Sequence, residues 1–81
     1  MKLEGTYKFE QFKVEITNPT MTINEGIIIH QLQMMIDVNI VLEVEGMKFG
    51  LHLEDVKVDN LNYSYESLIE KVVIRLNDFK V

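Results

Sequence analysis

The chain predicts an α+β fold: a strongly bent antiparallel sheet of about four strands in meander order, with one C-terminal helix packed on it. Three observations carry this expectation. Ile28, His30, Leu32, Met34, Ile36, Val38, Ile40, Leu42 and Val44 occupy every second position, with mostly polar residues between them, the period-two mark of a strand with one buried face. Glu45-Gly46 then stands where a two-residue turn would pair that run with the next apolar one, as in a β-hairpin. From Ser64 the rhythm changes, and Tyr65, Leu68, Ile69, Val72, Leu76 and Phe79 fall on one stripe of an amphipathic helix. A small open barrel is the alternative closure of the same elements.

Composition bounds the reading. With 81 residues, 47% of them hydrophobic, the chain makes one domain, residues 1–81, near the lower size at which a core stands alone. Support from a second copy is therefore expected. Nine isoleucines, nine valines and no alanine bias the chain toward strand. The absence of cysteine excludes disulfides, thiolate chemistry and Cys-ligated zinc, and favours a cytoplasmic setting. Net charge is −5 with a single arginine, Arg75, which argues against direct nucleic-acid contact because arginine is the residue most used to grip phosphates and base edges. Phe, Tyr, Met, Ile, Asn and Lys supply 34 residues against six from Gly, Ala, Arg and Pro, the bias of an AT-rich bacterial genome or one of its phages.

Along the chain, Thr6 to Thr17 reads as a first strand with Phe12, Val14 and Ile16 on one face. Tyr7 and Phe9 are out of phase with them, so a bulge near Glu10 and Gln11 is expected. Asn18-Pro19 ends that strand, since proline fixes φ and lacks a donor. Thr20 to Asn24, with Met21 and Ile23 alternating, reads as a short second strand closed by a turn at Asn24-Glu25-Gly26.

The run from Ile28 to Val44 poses a length problem. Straight, it would extend roughly 55 Å, whereas a globule of this size is about 30 Å across. A sharp bend near Met34-Met35 is expected, or else projection into a second copy. Around Glu45-Gly46 the hairpin pairs Val44 with Met47, Leu42 with Phe49, Ile40 with Leu51 and Val38 with Leu53 on the apolar face. Glu43 then meets Lys48, Val41 meets Gly50 and Asn39 meets His52 on the other. After Leu53 the phase slips to Val56 and Val58, which predicts a bulge at Glu54-Asp55. In the helix, Ser67 with Glu70 forms a possible capping box, and Ser64 or Asn62 is a cap one turn earlier. The β-branched run Val72-Val73-Ile74 also suits a strand.

The same register places Asn39 opposite His52 and Asp37 opposite Glu54 on the outer face. Two carboxylates, an imidazole and an amide in cross-strand reach form a candidate divalent-metal or acid–base site; they equally make an ordinary polar sheet face. His30 lies in phase with the apolar set and reads mainly as a half-covered rim residue. Lys2, Lys8 and Lys13 interleave with Tyr7, Phe9 and Phe12, but Glu4, Glu10 and Glu15 cancel the charge and the aromatics suit the core. Ser64 and Ser67 have no nearby histidine in sequence, and no Gly-rich phosphate loop occurs, so no catalytic motif or cofactor is expected. Gln31, Gln33, Asp37 and Asn39 interrupt the apolar 27–45 stretch, which reads as no membrane span.

Ile74 falls off the helix stripe, and Ile27, Ile29, Met35 and Val41 fall on the nominally outer sheet face. Together they predict uncovered apolar surface and hence protein contact. The function expected is a non-enzymatic interaction domain that self-associates, as a dimer, through its sheet edge or its outer apolar face. An acidic inhibitor of phage or mobile-element type, using residues such as Glu43, Glu45, Glu54, Asp55 and Asp59 against a basic surface of a host or phage enzyme, is the alternative; the metal site is a second one.

Overall fold

A computed structural model of the chain describes residues 1–24, 28–30, 34–59 and 62–81. Its strands are β1 (Thr6–Phe9), β2 (Val14–Thr17), β3 (Thr20–Ile23), β4 (Ile28–His30), β5 (Met35–Val44) and β6 (Met47–Lys57), followed by helix α1 (Tyr65–Leu76) and a 3-10 turn at Asn77–Phe79. The class is α+β. The single bent sheet, however, is replaced by two antiparallel sheets: β1 with β2, and a larger one centred on β5.

One correction falls on Thr6–Thr17. In place of one bulged strand, the chain reverses, pairing Thr6 with Thr17, Tyr7 with Ile16, Lys8 with Glu15 and Phe9 with Val14. The phase conflict is resolved by this reversal: Tyr7 and Ile16 become cross-strand partners and both are buried. The N–H groups of Phe12 and Lys13 both donate to the Phe9 carbonyl, and Lys13 takes φ 55° to close the turn. Phe12 thus belongs to the turn, where its ring meets Phe9 at 5.8 Å and Phe49 of β6 at 5.0 Å. Val14, expected inward, is 45% exposed.

The sharp bend expected near Met34-Met35 is present as a full reversal of the long run. Ile28 pairs with Asp37, Ile29 with Ile36 and His30 with Met35, so the run folds back on itself as β4 and β5. Met34, at φ 52°, lies on the approach to β5. The length problem is solved within one chain, whose longest dimension is 36 Å. On the same side of β5, further along, β3 pairs Thr20 with Glu43 through Ile23 with Ile40. Strands β3 and β4 therefore lie in line as one interrupted strand, and with β5 and β6 they make a single antiparallel sheet three strands wide. The expected Gly26 turn, Ile27 and the side chain of His30 lie outside the described residues.

The β5–β6 hairpin has the expected register at every pair from Val44–Met47 to Val38–Leu53. Glu45 and Gly46 take φ 51° and 79°, the two positive values that a type I′ turn requires. The predicted bulge is present: Ile36 pairs with Val56 whereas Val38 pairs with Leu53, leaving Glu54 and Asp55 to face Asp37, with Asp55 at φ 58°.

One core joins Ile36, Val38, Ile40 and Leu42 of β5, Leu51, Leu53 and Val56 of β6, Tyr7, Phe9 and Ile16 of the small sheet, and Leu68, Val72 and Leu76 of α1. The helix forms despite its β-branched run because Val72 is fully buried in this core, where packing outweighs propensity. Ser64 caps it, its hydroxyl accepting from the Ser67 N–H at 3.1 Å.

Candidate functional site

On the outer face of the β5–β6 hairpin, the pairing of Asn39 with His52 brings Nδ1 of the imidazole within 2.7 Å of Asn39 Oδ1. An amide oxygen only accepts, so Nδ1 carries the proton in that contact. The other ring nitrogen faces Asp37 Oδ2 at 3.7 Å. Asp37 is only 9% exposed, and its Oδ1 accepts the N–H of Asp55 at 3.2 Å. Three of the four residues named for a metal or acid–base site thus come together as a chain Asn39–His52–Asp37. That chain clamps β5 to β6 beside the bulge, where ladder pairing is interrupted.

Glu54 is the exception. The bulge displaces it from the register partner position of Asp37, its side chain is exposed, and its carbonyl accepts from Arg75 Nε of α1 at 3.3 Å. Among the described residues no three His, Cys, Asp or Glu side chains converge as a cation-binding set.

The residues named for protein contact do not share one surface. Val41 is half-buried and borders a shallow depression of about 350 Å³ with Asn24, Asn39, Gly50 and His52. Ile74, 61% exposed, borders a separate cleft of about 460 Å³ with Asp55, Lys57, Lys71 and Arg75. Met35 is half-buried, opposite His30 on one side and Lys57 on the other. Ile27 lies outside the described residues, and Ile29 is described only in its backbone. Of the acidic residues, Glu45, Glu54, Asp55 and Asp59 are exposed, Glu43 is half-buried, and Asp59 pairs with Lys71 at 3.2 Å.

Sequence reasoning expected association through a sheet edge but assigned no strand to it; among the described residues β6 presents a free edge. A type I′ turn makes Val44–Met47 a hydrogen-bonded pair, and pairs alternate from there. The backbone N–H and C=O groups of Lys48, Gly50 and His52 consequently point away from β5. Among the described residues no strand takes them up. From the helix, Arg75 Nε donates to the Glu54 carbonyl at 3.3 Å, beyond the Lys48–His52 stretch. An open cleft of about 750 Å³ separates Leu51 and His52 from Lys8, Glu10, Phe79 and Val81. The signal available in the sequence was Gly50, an unexplained glycine in mid-strand.

No protein-family model matches the chain, and comparison with curated proteins and with solved structures finds no match. No helix among the described residues is long and apolar enough to cross a membrane.

Proposed function

We propose that this chain is a non-enzymatic protein-interaction domain that self-associates through its large sheet. The observation that supports it is the open β6 edge: three successive outward-facing residues, Lys48, Gly50 and His52, present backbone donors and acceptors that no strand of the described chain pairs. Such an edge is a template for another strand. Chemistry has less support. The imidazole of His52 is held between an amide and a carboxylate, and Ser64 Oγ is engaged in the helix cap.

Sedimentation equilibrium over a wide concentration range tests the reading directly. A reversible rise in mass above that of the 9.5 kDa chain is the expected result. A constant monomer mass up to millimolar concentration would refute it.

A further inference from the structure

We infer that the partner at the β6 edge is a second copy of this chain, joined by antiparallel β6–β6 pairing on a two-fold axis through Gly50; this rests on the self-association proposed above and assigns its register.

Two identical edges related by a two-fold axis pair antiparallel. Outward-facing residues of one strand must then oppose outward-facing residues of the other. With Gly50 opposite its own copy, Lys48 opposes His52 of the second copy and His52 opposes Lys48, so every free group between Lys48 and His52 is paired. Sliding the register by one step in either direction loses this match. One direction sets Gly50 against His52 but pushes Lys48 onto Glu54, whose carbonyl Arg75 already holds. The other pushes His52 onto Gly46, inside the hairpin turn.

Side chains agree with the same register. On the core-facing side Phe49 meets Leu51 of the second copy, and Met47, 57% exposed in the single chain, gains Leu53 as a neighbour. On the outer side no carboxylate opposes a carboxylate. Lys48 keeps Glu43 as its partner within its own chain and faces an imidazole across the axis.

Gly50, on the axis of this pairing, has room for a side chain. A glycine inside a strand weakens it, and commonly marks a bulge or the close approach of another backbone. Here the fold supplies no reason of its own: Gly50 is not among the glycines with positive φ, the bulge lies elsewhere, and a Cβ built on it meets nothing within 4 Å.

Because the chain has no cysteine, single-cysteine variants report the register cleanly. In the assigned pairing the two Gly50 Cα atoms lie about 5.5 Å apart, whereas the two copies of Lys48 are separated by roughly 14 Å along the strands. Treated with a short bismaleimide, Gly50→Cys should convert to covalent dimer, and an equimolar mixture of Lys48→Cys and His52→Cys should do so as well. Lys48→Cys alone and Val41→Cys, placed on the central strand, should not. In the wild-type protein, amide exchange at Lys48, Gly50 and His52 should slow as concentration rises, a readout that needs no substitution. A protein that stays monomeric, with exchange at these amides independent of concentration, overturns the self-association itself. A dimer that cross-links through Val41→Cys, or through Lys48→Cys alone, leaves self-association standing and overturns the register.

Discussion

The large sheet has two borders, finished in different ways. Beside β3 the chain covers itself. The Leu3 N–H donates to the Pro19 carbonyl at 2.8 Å, Met21 donates to the Met1 carbonyl at 2.7 Å, and the Met1 amino group returns a bond to Met21. Lys2 bridges to Thr20 between them, while Gly5 and Asn18 exchange bonds where the cover begins. Beside β6 the neighbour is a helix whose own backbone bonds are internal, so it offers only side chains to the edge. Arg75 satisfies one carbonyl, that of Glu54, and the groups beyond it remain open. A strand neighbour satisfies an edge continuously; a helix neighbour satisfies it at points. That difference leaves β6 an edge on which another chain can add.

The contrast is broken most severely by opening the covered border. Leu3 is buried in the core at the end of the covering segment. Leu3→Ala should cost about 2–4 kcal/mol in urea unfolding, the range for a buried leucine truncated to alanine. With both borders open, assembly should also pass beyond a closed dimer to larger species in sedimentation velocity, since two free edges can propagate where one cannot. If Leu3→Ala loses stability but still sediments as a dimer, the remaining cover of Met1 and Lys2 is enough.

The two borders differ as much in how they could be foreseen. The β5–β6 hairpin was legible because turn, alternation and phase slip are all local: Glu45-Gly46 marks the turn, and the step from Leu53 to Val56 marks the bulge. The meeting of Asn39, His52 and Asp37 followed from the same register. The reversal at Glu10–Lys13 was not legible, because its left-handed residue is Lys13 rather than glycine or asparagine, and turn chemistry is read from those residues. Before Met35 the length of the run already called for a bend, but the apolar rhythm continues from Ile28 to Val44 and hides that the bend is a full reversal. The covering role of Met1–Leu3 and the openness of β6 depend on which distant segments find each other. Such facts are tertiary, and no window of sequence contains them.

A milder perturbation probes the helical side. Arg75 donates to the Glu54 carbonyl, pairs with Asp78 at 2.8 Å and lies 5.2 Å from the centre of the Phe79 ring. Arg75→Ala should lower stability by about 1 kcal/mol, because the contacts are partly solvated and each contributes modestly. The dimerisation constant should not change, since Glu54 stands outside the Lys48–His52 pairing. Weaker association in sedimentation equilibrium would place the helix inside the interface and extend it past the free edge.

The smallest effect, and the one of opposite sign, belongs to Gly50. Filling a strand glycine removes chain entropy from the unfolded state and adds a side chain with strand preference, so Gly50→Thr should raise monomer stability by about 0.5–1 kcal/mol. The space exists: nothing of the chain lies within 4 Å of the new Cβ, and the backbone there needs no left-handed conformation. Measured by urea unfolding at concentrations low enough to hold the monomer, a gain would show that the single chain carries a weaker residue than its own fold requires. A loss would mean that the glycine serves the monomer after all, and the open edge would then have to be argued from its unpaired backbone alone.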